Sequence, residues 1–216
     1  MVRLDNNEIS FPDPELYDGH EGVIAFGGDL SVERICFAYQ LGIFPWFNPE
    51  EEILWWCPDP RFVLVPRELK VSKSMRKILN RNVFTFSQNR NFREVIKNCQ
   101  EISRREQAGT WLSDELMEAF IQLHQYGLAK SIEVWQNGEL VGGFYGLQIG
   151  NVFCGESMFA KVSNASKAGF IHFIETHKDL ELIDCQSHTD HLESLGAKMI
   201  PKRDFLKILY RNNERR

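Results

Sequence analysis

The sequence of 216 residues has no long hydrophobic run, few cysteines and no internal repeat. No apolar stretch reaches the ~18 residues that a transmembrane helix needs, and the acidic N-terminus does not resemble a signal peptide. The five cysteines form no C-x-x-C pair, which argues against zinc and against a disulfide framework. These absences predict a globular protein of the cytoplasm with reduced thiols and no membrane partner.

Several catalytic and nucleotide-binding motifs are also missing. The chain contains no G-x-G-x-x-G fingerprint, no P-loop, no G-x-S-x-G elbow and no Ser-His-Asp order. His188 and His191 form an H-x-x-H pair, but no third ligand stands at a standard spacing, so we predict no metal. What remains is acyl transfer without a cofactor, in which positioned polar groups help an amine attack an activated ester.

Charged residues are distributed unevenly along a chain whose net charge is −5. Residues 1–60 carry twelve acidic and two basic side chains, whereas residues 61–97 carry ten basic and two acidic ones. Most charge runs are solvated faces, but a basic block in an acidic protein also fits a phosphate backbone. The pattern favours a protein that contacts one defined nucleic acid and also handles a cationic partner.

Two domains are predicted, a small loop-rich one over residues 1–60 and a larger one over residues 61–216. Pro58 and Pro60 mark the boundary between them. The first domain holds three tryptophans within eleven residues: Trp46, Trp55 and Trp56. These rings either form the core of a small domain or offer flat surfaces on which an unpaired base can stack.

A basic helix is predicted just after the boundary. Ser72 is a suitable N-cap for a helix that runs to about Leu79. Its exposed face and the residue after it carry four cations: Lys73, Arg76, Lys77 and Arg81. Because the first three share one face and repel each other, they favour contact with a polyanion over an isolated solvated face.

The larger domain is predicted to be a mixed sheet. An Asn-Gly turn indicates a hairpin, and a further strand over Val152 to Phe159 completes an antiparallel meander. A helix capped by Asn164 or Ser163 then leads to a strand ending at Gln186, so these last two strands are expected to be parallel. The fold class is therefore α+β, a small N-terminal domain plus a GNAT-like (acetyltransferase-like) mixed-sheet C-terminal domain.

The strand that ends at Gln186 carries two polar side chains on one face. Strict alternation would put Asp184 and Gln186 on that face and Ile183 and Cys185 on the other. Buried polar groups need partners, so the pair is either a satisfied hydrogen-bond pair or a functional one. Ligands of such units bind beyond the carboxyl ends of the strands, which predicts Glu156, Asp184 and Gln186 near one crevice.

Ordered blocks of this sequence closely resemble the leucyl/phenylalanyl-tRNA–protein transferases. The match runs from about Gly22 to Tyr210, and its many blocks make it highly specific. The blocks are Gly27–Ser31, Gly42–Trp46, Leu54–Arg61, Gly109–Trp111, Phe153–Phe159, Asn164–Lys167 and Leu182–Gln186. Two positions depart from the family pattern: Cys57 replaces a common Ser, and Phe144 stands where a Met can occur.

The resemblance implies that the protein moves Leu or Phe, with Met as a further candidate, from aminoacyl-tRNA to acceptor proteins. The acceptors begin with Arg or Lys, and the transfer marks them for degradation by the bacterial N-end rule pathway. The resemblance also implies a GNAT-like catalytic domain and no cofactor.

The resemblance further implies roles for individual residues. Asp184 orients or polarises Gln186, whose carbonyl oxygen takes a proton from the attacking α-amine; alternatively, both groups only position the amine. Glu156 binds the terminal adenosine of the tRNA or the incoming amine, and Trp46 and Trp111 hold that adenosine. The aminoacyl pocket is formed by Phe144, Phe153, Met158, Phe170, Phe173 and Ile183. The tRNA-facing helix carries Lys73, Arg76, Lys77 and Arg81.

Two other classes of function remain as alternatives. An acyltransferase that uses coenzyme A needs a pyrophosphate loop opening a helix, and the region Phe159–Lys167 offers no good counterpart. A non-enzymatic tRNA-binding module would tolerate replacement of Asp184 or Gln186, whereas a transferase would lose most of its rate.

Overall fold

The computed structural model describes residues 1–17, 19–106 and 112–213, excluding the side chains of residues 103–106. Four short strands near the N-terminus are β1 (Val2–Leu4), β2 (Val23–Gly27), β3 (Phe44–Pro45) and β4 (Leu54–Trp56). They form one sheet in the order β1-β2-β4-β3, in which only β1 and β2 are parallel. The helix α1 (Val32–Gln40) follows β2, and the Ser31 side chain caps it.

A seven-stranded sheet contains the rest of the strands. These are β5 (Arg61–Leu64), β6 (Thr85–Gln88), β7 (Ala129–Gln136), β8 (Glu139–Ile149), β9 (Val152–Ala160), β10 (Leu182–Gln186) and β11 (Lys198–Ile200). Their order is β11-β5-β10-β9-β8-β7-β6. Strands β6 to β9 form an antiparallel meander, and β10 is parallel to β9, which confirms the predicted strand–helix–strand unit.

Six further helices surround this sheet. They are α2 (Lys73–Asn80), α3 (Phe92–Glu106), α4 (Asp114–Gln125), α5 (Ala165–Thr176), α6 (Asp190–Glu193) and α7 (Lys202–Asn213). The predicted caps at Ser72 and Ser113 are confirmed. Asn164 is the N-cap residue of α5, as predicted, but its side chain makes no cap hydrogen bond, because the residue is in the left-handed region (φ 67°) and its side chain donates to the Ser163 hydroxyl. No described helix is long and apolar enough to cross a membrane.

Two hydrophobic clusters lie on opposite sides of the large sheet. The larger one joins Trp55 of the N-terminal sheet to Phe120 of α4, Tyr145 of β8 and Leu209 of α7. The second lies beneath α5 and contains Phe144, Phe153, Phe170 and Phe173, among others. The first cluster therefore fixes the N-terminal sheet against the large sheet, and the second fixes α5.

The helix α5 lies unusually close to the sheet. A Cβ atom at Gly142 would stand 2.7 Å from the Cβ of Ala165 and 3.2 Å from the Ser166 backbone nitrogen. We therefore expect Gly142→Ala to lower the free energy of unfolding by ~1–3 kcal/mol through overpacking. Chemical denaturation tests this, with Gly155→Ala as the control, since its Cβ would meet nothing closer than 3.6 Å. Equal stability of the two variants would contradict the prediction.

Candidate active site

A cavity of about 650 Å³ opens where β8, β9 and β10 meet α5 and α6. Four of the predicted pocket residues line it: Phe144, Met158, Phe170 and Ile183. The three predicted polar residues line it as well: Glu156, Asp184 and Gln186. The structure therefore brings an apolar wall and a group of polar side chains to one cavity.

The remaining predicted pocket residues, Phe153 and Phe173, lie behind this wall. Both are buried, and neither is among the residues that line the cavity. Their rings meet Phe144 edge to face, with centroid separations of 6.0 Å and 5.5 Å, and Phe170 meets it similarly at 5.6 Å. Such edge-to-face contacts are favourable, so the Phe144 ring is held rigidly as the floor of the cavity.

A second cleft of about 400 Å³ adjoins the cavity and leads towards the N-terminal sheet. The two spaces share Glu156, Gln186, Ser187 and Thr189. The far wall of the cleft is formed by Glu21, Phe44, Pro45, Trp46, Trp56 and Pro58. The polar groups therefore stand at the junction of the cavity and the cleft.

The three N-terminal tryptophans have different environments. Trp55 is fully buried, and its indole N–H donates to the Gly27 carbonyl (2.9 Å), as expected of a core residue. Trp56 donates to the Trp46 carbonyl (2.6 Å), and these two rings lie 5.2 Å apart. Trp46 itself is 48% exposed, so it is the ring most available for stacking. Trp111, predicted to act with it, lies outside the described residues.

The strands β9 and β10 separate at the site. Their pairing ends where Asp184 faces Cys154, although β9 continues to Ala160 and β10 to Gln186. The register of β10 also shifts between Asp184 and Gln186, and Gln186 is in the left-handed region at φ 61°. The predicted alternation therefore holds for Ile183 and Cys185, which both pack on the hydrophobic cluster beneath α5, and is broken by this bulge at Gln186.

Asp184 is held by a buried partner that sequence reasoning missed. Its two carboxylate oxygens accept from the Nε and Nη2 of Arg61, at 2.8 Å and 2.7 Å, and both side chains are 1% exposed. The backbone N–H of Gln186 donates to the same carboxylate at 3.0 Å. Burial disfavours the charged guanidinium, yet Asp184 raises the pKa of Arg61 above its usual value.

Aromatic rings enclose the Arg61 side chain. Its guanidinium carbon lies 4.6 Å from the ring centre of Phe44 in β3 and 4.7 Å from that of Phe205 in α7. Arg61 therefore ties the N-terminal sheet, the C-terminal helix and β10 together. The sequence signal for Arg61 is that a charged residue begins an otherwise apolar strand, Arg61–Leu64. In the structure all four residues of this strand are buried.

Glu156 contacts Gln186 directly. The Gln186 Nε2 donates to Glu156 Oε1 at 2.7 Å. Although the side chain keeps some exposure to the cleft, burial of its carboxylate raises the pKa of Glu156 to about 8. Asp184 raises this pKa further, while the Tyr39 hydroxyl, Gln186 and Arg61 lower it.

Two tyrosines approach Glu156 from the protein interior. Tyr39 of α1 and Tyr145 of β8 are buried, and burial and the Glu156 charge both raise their pKa values well above normal. Neither hydroxyl has a hydrogen-bond partner of good geometry among the described residues. The first domain predicted from sequence thus reaches the site through Tyr39, which sequence reasoning did not single out.

The predicted basic helix is α2. Lys73, Lys77 and Arg81 are exposed, whereas the guanidinium of Arg76 pairs with Glu175 at 2.8 Å. The opposite face of α2 packs Met75 into the core beneath α5. The helix is therefore anchored on one side and presents cations on the other.

A second polar cluster lies on the surface beside the site. Ligand atoms of His188, Asp190 and Glu193 all lie within 4.8 Å of one another. All three residues are exposed, and His188 already approaches Glu193 at 3.2 Å. His191 of the H-x-x-H pair is not part of this cluster.

Comparisons with known proteins agree along the length of the chain. The family model described as leucyl/phenylalanyl-tRNA protein transferase matches residues 63–210, and the model for the N-terminal domain of that transferase matches residues 28–59. A leucyl/phenylalanyl-tRNA–protein transferase of Flavobacterium johnsoniae is 55% identical over 204 residues, covering 94% of this chain and 96% of the relative. One from Syntrophobacter fumaroxidans is 46% identical over 207 residues, covering 95% and 88%.

Solved structures are more distant. A conserved protein of unknown function from Bacteroides thetaiotaomicron aligns with a TM-score of 0.44 and 14% identity. The alignment covers 86% of this chain and 64% of that one, and it is too remote to support a conclusion about function.

The mixed α/β fold, the cavity with its polar mouth and these matches define an aminoacyltransferase. The chain belongs to the leucyl/phenylalanyl-tRNA–protein transferase family. It is an enzyme that transfers an aminoacyl group from tRNA to proteins, and the resemblance predicted from the ordered motif blocks is confirmed.

Proposed function

We propose that this enzyme transfers Leu or Phe, and also Met, from aminoacyl-tRNA to the N-terminal Arg or Lys of acceptor proteins in the cytoplasm. The product is then marked for degradation by the N-end rule pathway. The observation that carries the proposal is the cavity with one apolar wall, whose junction with the neighbouring cleft holds Glu156 and Gln186.

The cavity is the proposed pocket for the aminoacyl side chain. Phe144 and Phe170 form a rigid apolar wall, and the flexible Met158 completes it. Such a wall favours aromatic side chains and aliphatic side chains that are not branched at Cβ, such as Leu and Met, by contact area alone. A purely apolar pocket discriminates against one altered methyl group by only ~1–3 kcal/mol, so Val and Ile should be poorer substrates rather than excluded ones.

The terminal adenosine is proposed to stack on Trp46, together with Trp111. The exposed indole of Trp46 lines the open cleft beside Glu156, where the ester end of the aminoacyl group would leave the cavity. Stacking of one base on an aromatic side chain contributes ~1–3 kcal/mol. This arrangement would hold the activated carbonyl between the cavity and the cleft.

Gln186 is proposed to position the α-amine of the acceptor, and Asp184 to position Gln186. Asp184 accepts the backbone N–H of Gln186 and thereby supports its left-handed conformation. Because Asp184 is committed to Arg61, it acts through Gln186 rather than by touching the substrate.

The larger sheet is proposed to be GNAT-like, with residues 1–60 and 61–216 as separate domains. The support is that β9 and β10 are parallel and stop pairing at Cys154 and Asp184, just before the polar groups. A separated strand pair of this kind exposes backbone and side chains to an acyl group that enters from the carboxyl ends of the strands.

A transfer assay tests the proposed acceptors. Purified enzyme, leucyl-tRNA and a peptide beginning with Arg or Lys should give a product longer by one Leu. The same peptide beginning with Ala should remain unmodified. If neither the Arg peptide nor the Lys peptide were modified, the proposed acceptor class would be wrong. If the Ala peptide were modified as well as the basic ones, the proposed selectivity would be wrong.

The basic face of α2 is proposed to bind the tRNA backbone. Replacing Lys73, Lys77 and Arg81 by Ala should weaken tRNA affinity by about tenfold or more at low salt. The slope of log affinity against log salt should also become shallower, by ~1 for each phosphate that is no longer neutralised. Fluorescence titration at several salt concentrations measures both quantities. Replacing the exposed Arg203, Lys207 and Arg211 on α7 removes the same three charges and controls for net charge, and an equal weakening in both variants would show that α2 has no special role.

A further inference from the structure

We infer that Glu156 is the proton acceptor and donor of the transfer reaction, while Gln186 takes no proton and holds Glu156 and the amine in position. This role rests on the proposed function of the site as the place where an amine attacks an aminoacyl ester. It rests on three features of the geometry: the ion pair that holds Asp184, the orientation of the Gln186 amide, and the position of Glu156.

Asp184 is not available to an amine. Its carboxylate already accepts three N–H groups, two from Arg61 and one from the Gln186 backbone. Its side chain is 1% exposed. If Asp184 took a proton from an incoming nucleophile, its ion pair with the buried Arg61 would be lost and the Arg61 charge would be left unpaired.

Gln186 is unsuited to take a proton. A neutral carboxamide oxygen is a very weak base, so general-base catalysis by it would contribute little. Its amide nitrogen donates to Glu156 Oε1 at 2.7 Å. The amide thus fixes the position of Glu156, and its carbonyl oxygen remains as an acceptor that can orient an amine N–H.

Glu156 stands where the two substrates would meet. It lines both the aminoacyl cavity and the open cleft, as Gln186 does. It lies just beyond the last β9 residue that pairs with β10, so its carboxylate projects into the gap between the separated strands. Among the described residues, Glu156 is the one carboxylate that lines both spaces.

The proton balance is simple. The acceptor α-amine nitrogen forms a bond to the ester carbonyl carbon, and the Glu156 carboxylate removes one proton from that nitrogen. The bond between the carbonyl carbon and the tRNA ribose oxygen then breaks, and the proton on Glu156 passes to that oxygen. One amide and one ribose hydroxyl are formed, and Glu156 returns to its starting state.

The surroundings of Glu156 suit a group that both takes and returns a proton. The titratable and charged groups facing it are Tyr39 of α1, Arg61 of β5, Tyr145 of β8, Cys154 of β9 and Asp184 of β10. Burial, partly offset by Tyr39, Gln186 and Arg61, raises the pKa of Glu156 to about 8. A catalytic pKa near the operating pH serves both halves of a proton transfer.

Single-turnover transfer to an Arg peptide tests the role. Glu156→Gln keeps the size and the contact with Gln186 but cannot take a proton, so we expect the saturated rate to fall by ~100-fold or more. The tRNA affinity and the peptide KM should change little, and Glu156→Asp should recover part of the rate. A saturated rate for Glu156→Gln within about threefold of the original enzyme would overturn the inference.

A reaction with a second nucleophile tests the role of Glu156 independently of the proposed acceptor specificity. Hydroxylamine, which is unprotonated near neutral pH, can attack leucyl-tRNA without any peptide, and the reaction without enzyme is subtracted. The enzyme-dependent rate should rise with pH, reach half of its maximum near pH 8 and level off above that, because Glu156 must be deprotonated to act. Glu156→Gln should remove this rise. An identical pH profile in both proteins would overturn the role of Glu156, even if no peptide acceptor were ever modified.

Discussion

Arg61→Met is expected to lower the free energy of unfolding by ~3–5 kcal/mol, because it leaves the buried carboxylate of Asp184 without its partner. Methionine preserves most of the packing between Phe44 and Phe205, so the destabilisation would report the charge rather than a cavity. Denaturant unfolding measures the change. A destabilisation below about 1 kcal/mol would show that the pair contributes little.

The matched control replaces both partners. In Arg61→Met combined with Asp184→Leu, no buried charge is left unpaired, so we expect most of the stability to return. Activity should not return, since the Gln186 backbone N–H no longer has its acceptor and the left-handed turn no longer has its support. Recovery of both stability and activity would contradict a positioning role for this pair.

Gln186→Ala is expected to lower the saturated rate of aminoacyl transfer by ~100-fold, because a small misplacement of reacting groups has an effect of that size. Binding of aminoacyl-tRNA should be retained, since α2 and Trp46 are untouched. Single-turnover kinetics and a tRNA titration separate the two quantities. Gln88→Ala, in the distant edge strand β6, should change neither.

Other results would change the role of Gln186. If Gln186→Ala left the transfer rate unchanged, Gln186 would not position the amine. If it abolished tRNA affinity instead, Gln186 would contact the nucleic acid. Only a reduced rate with affinity retained agrees with the proposed positioning of the amine.

Local sequence signals predict most of the larger sheet. The caps at Ser72 and Ser113 and the Asn-Gly turn each depend on neighbouring residues, so a single sequence reveals them. The parallel pairing of β9 and β10 follows from the length of the crossover and is also predictable. The convergence of Glu156, Asp184 and Gln186 is a consequence of that pairing.

Features that depend on distant contacts cannot be predicted in this way. Arg61 and Asp184 are 123 positions apart, and nothing in either neighbourhood identifies the partner. Tyr39 reaches Glu156 only because α1 packs against the large sheet. The left-handed conformation of Gln186 is likewise unusual for a residue that is neither Gly nor Asn, and it depends on the buried carboxylate of Asp184.

The central claim is that this site joins an aminoacyl group to an acceptor α-amine. Mass spectrometry of an Arg-initiated peptide after incubation with leucyl-tRNA and enzyme tests it most directly. The account predicts the addition of one leucyl residue at the N-terminal nitrogen, and no addition when that nitrogen is acetylated beforehand. An unmodified Arg peptide, or equal modification of the acetylated one, would contradict it.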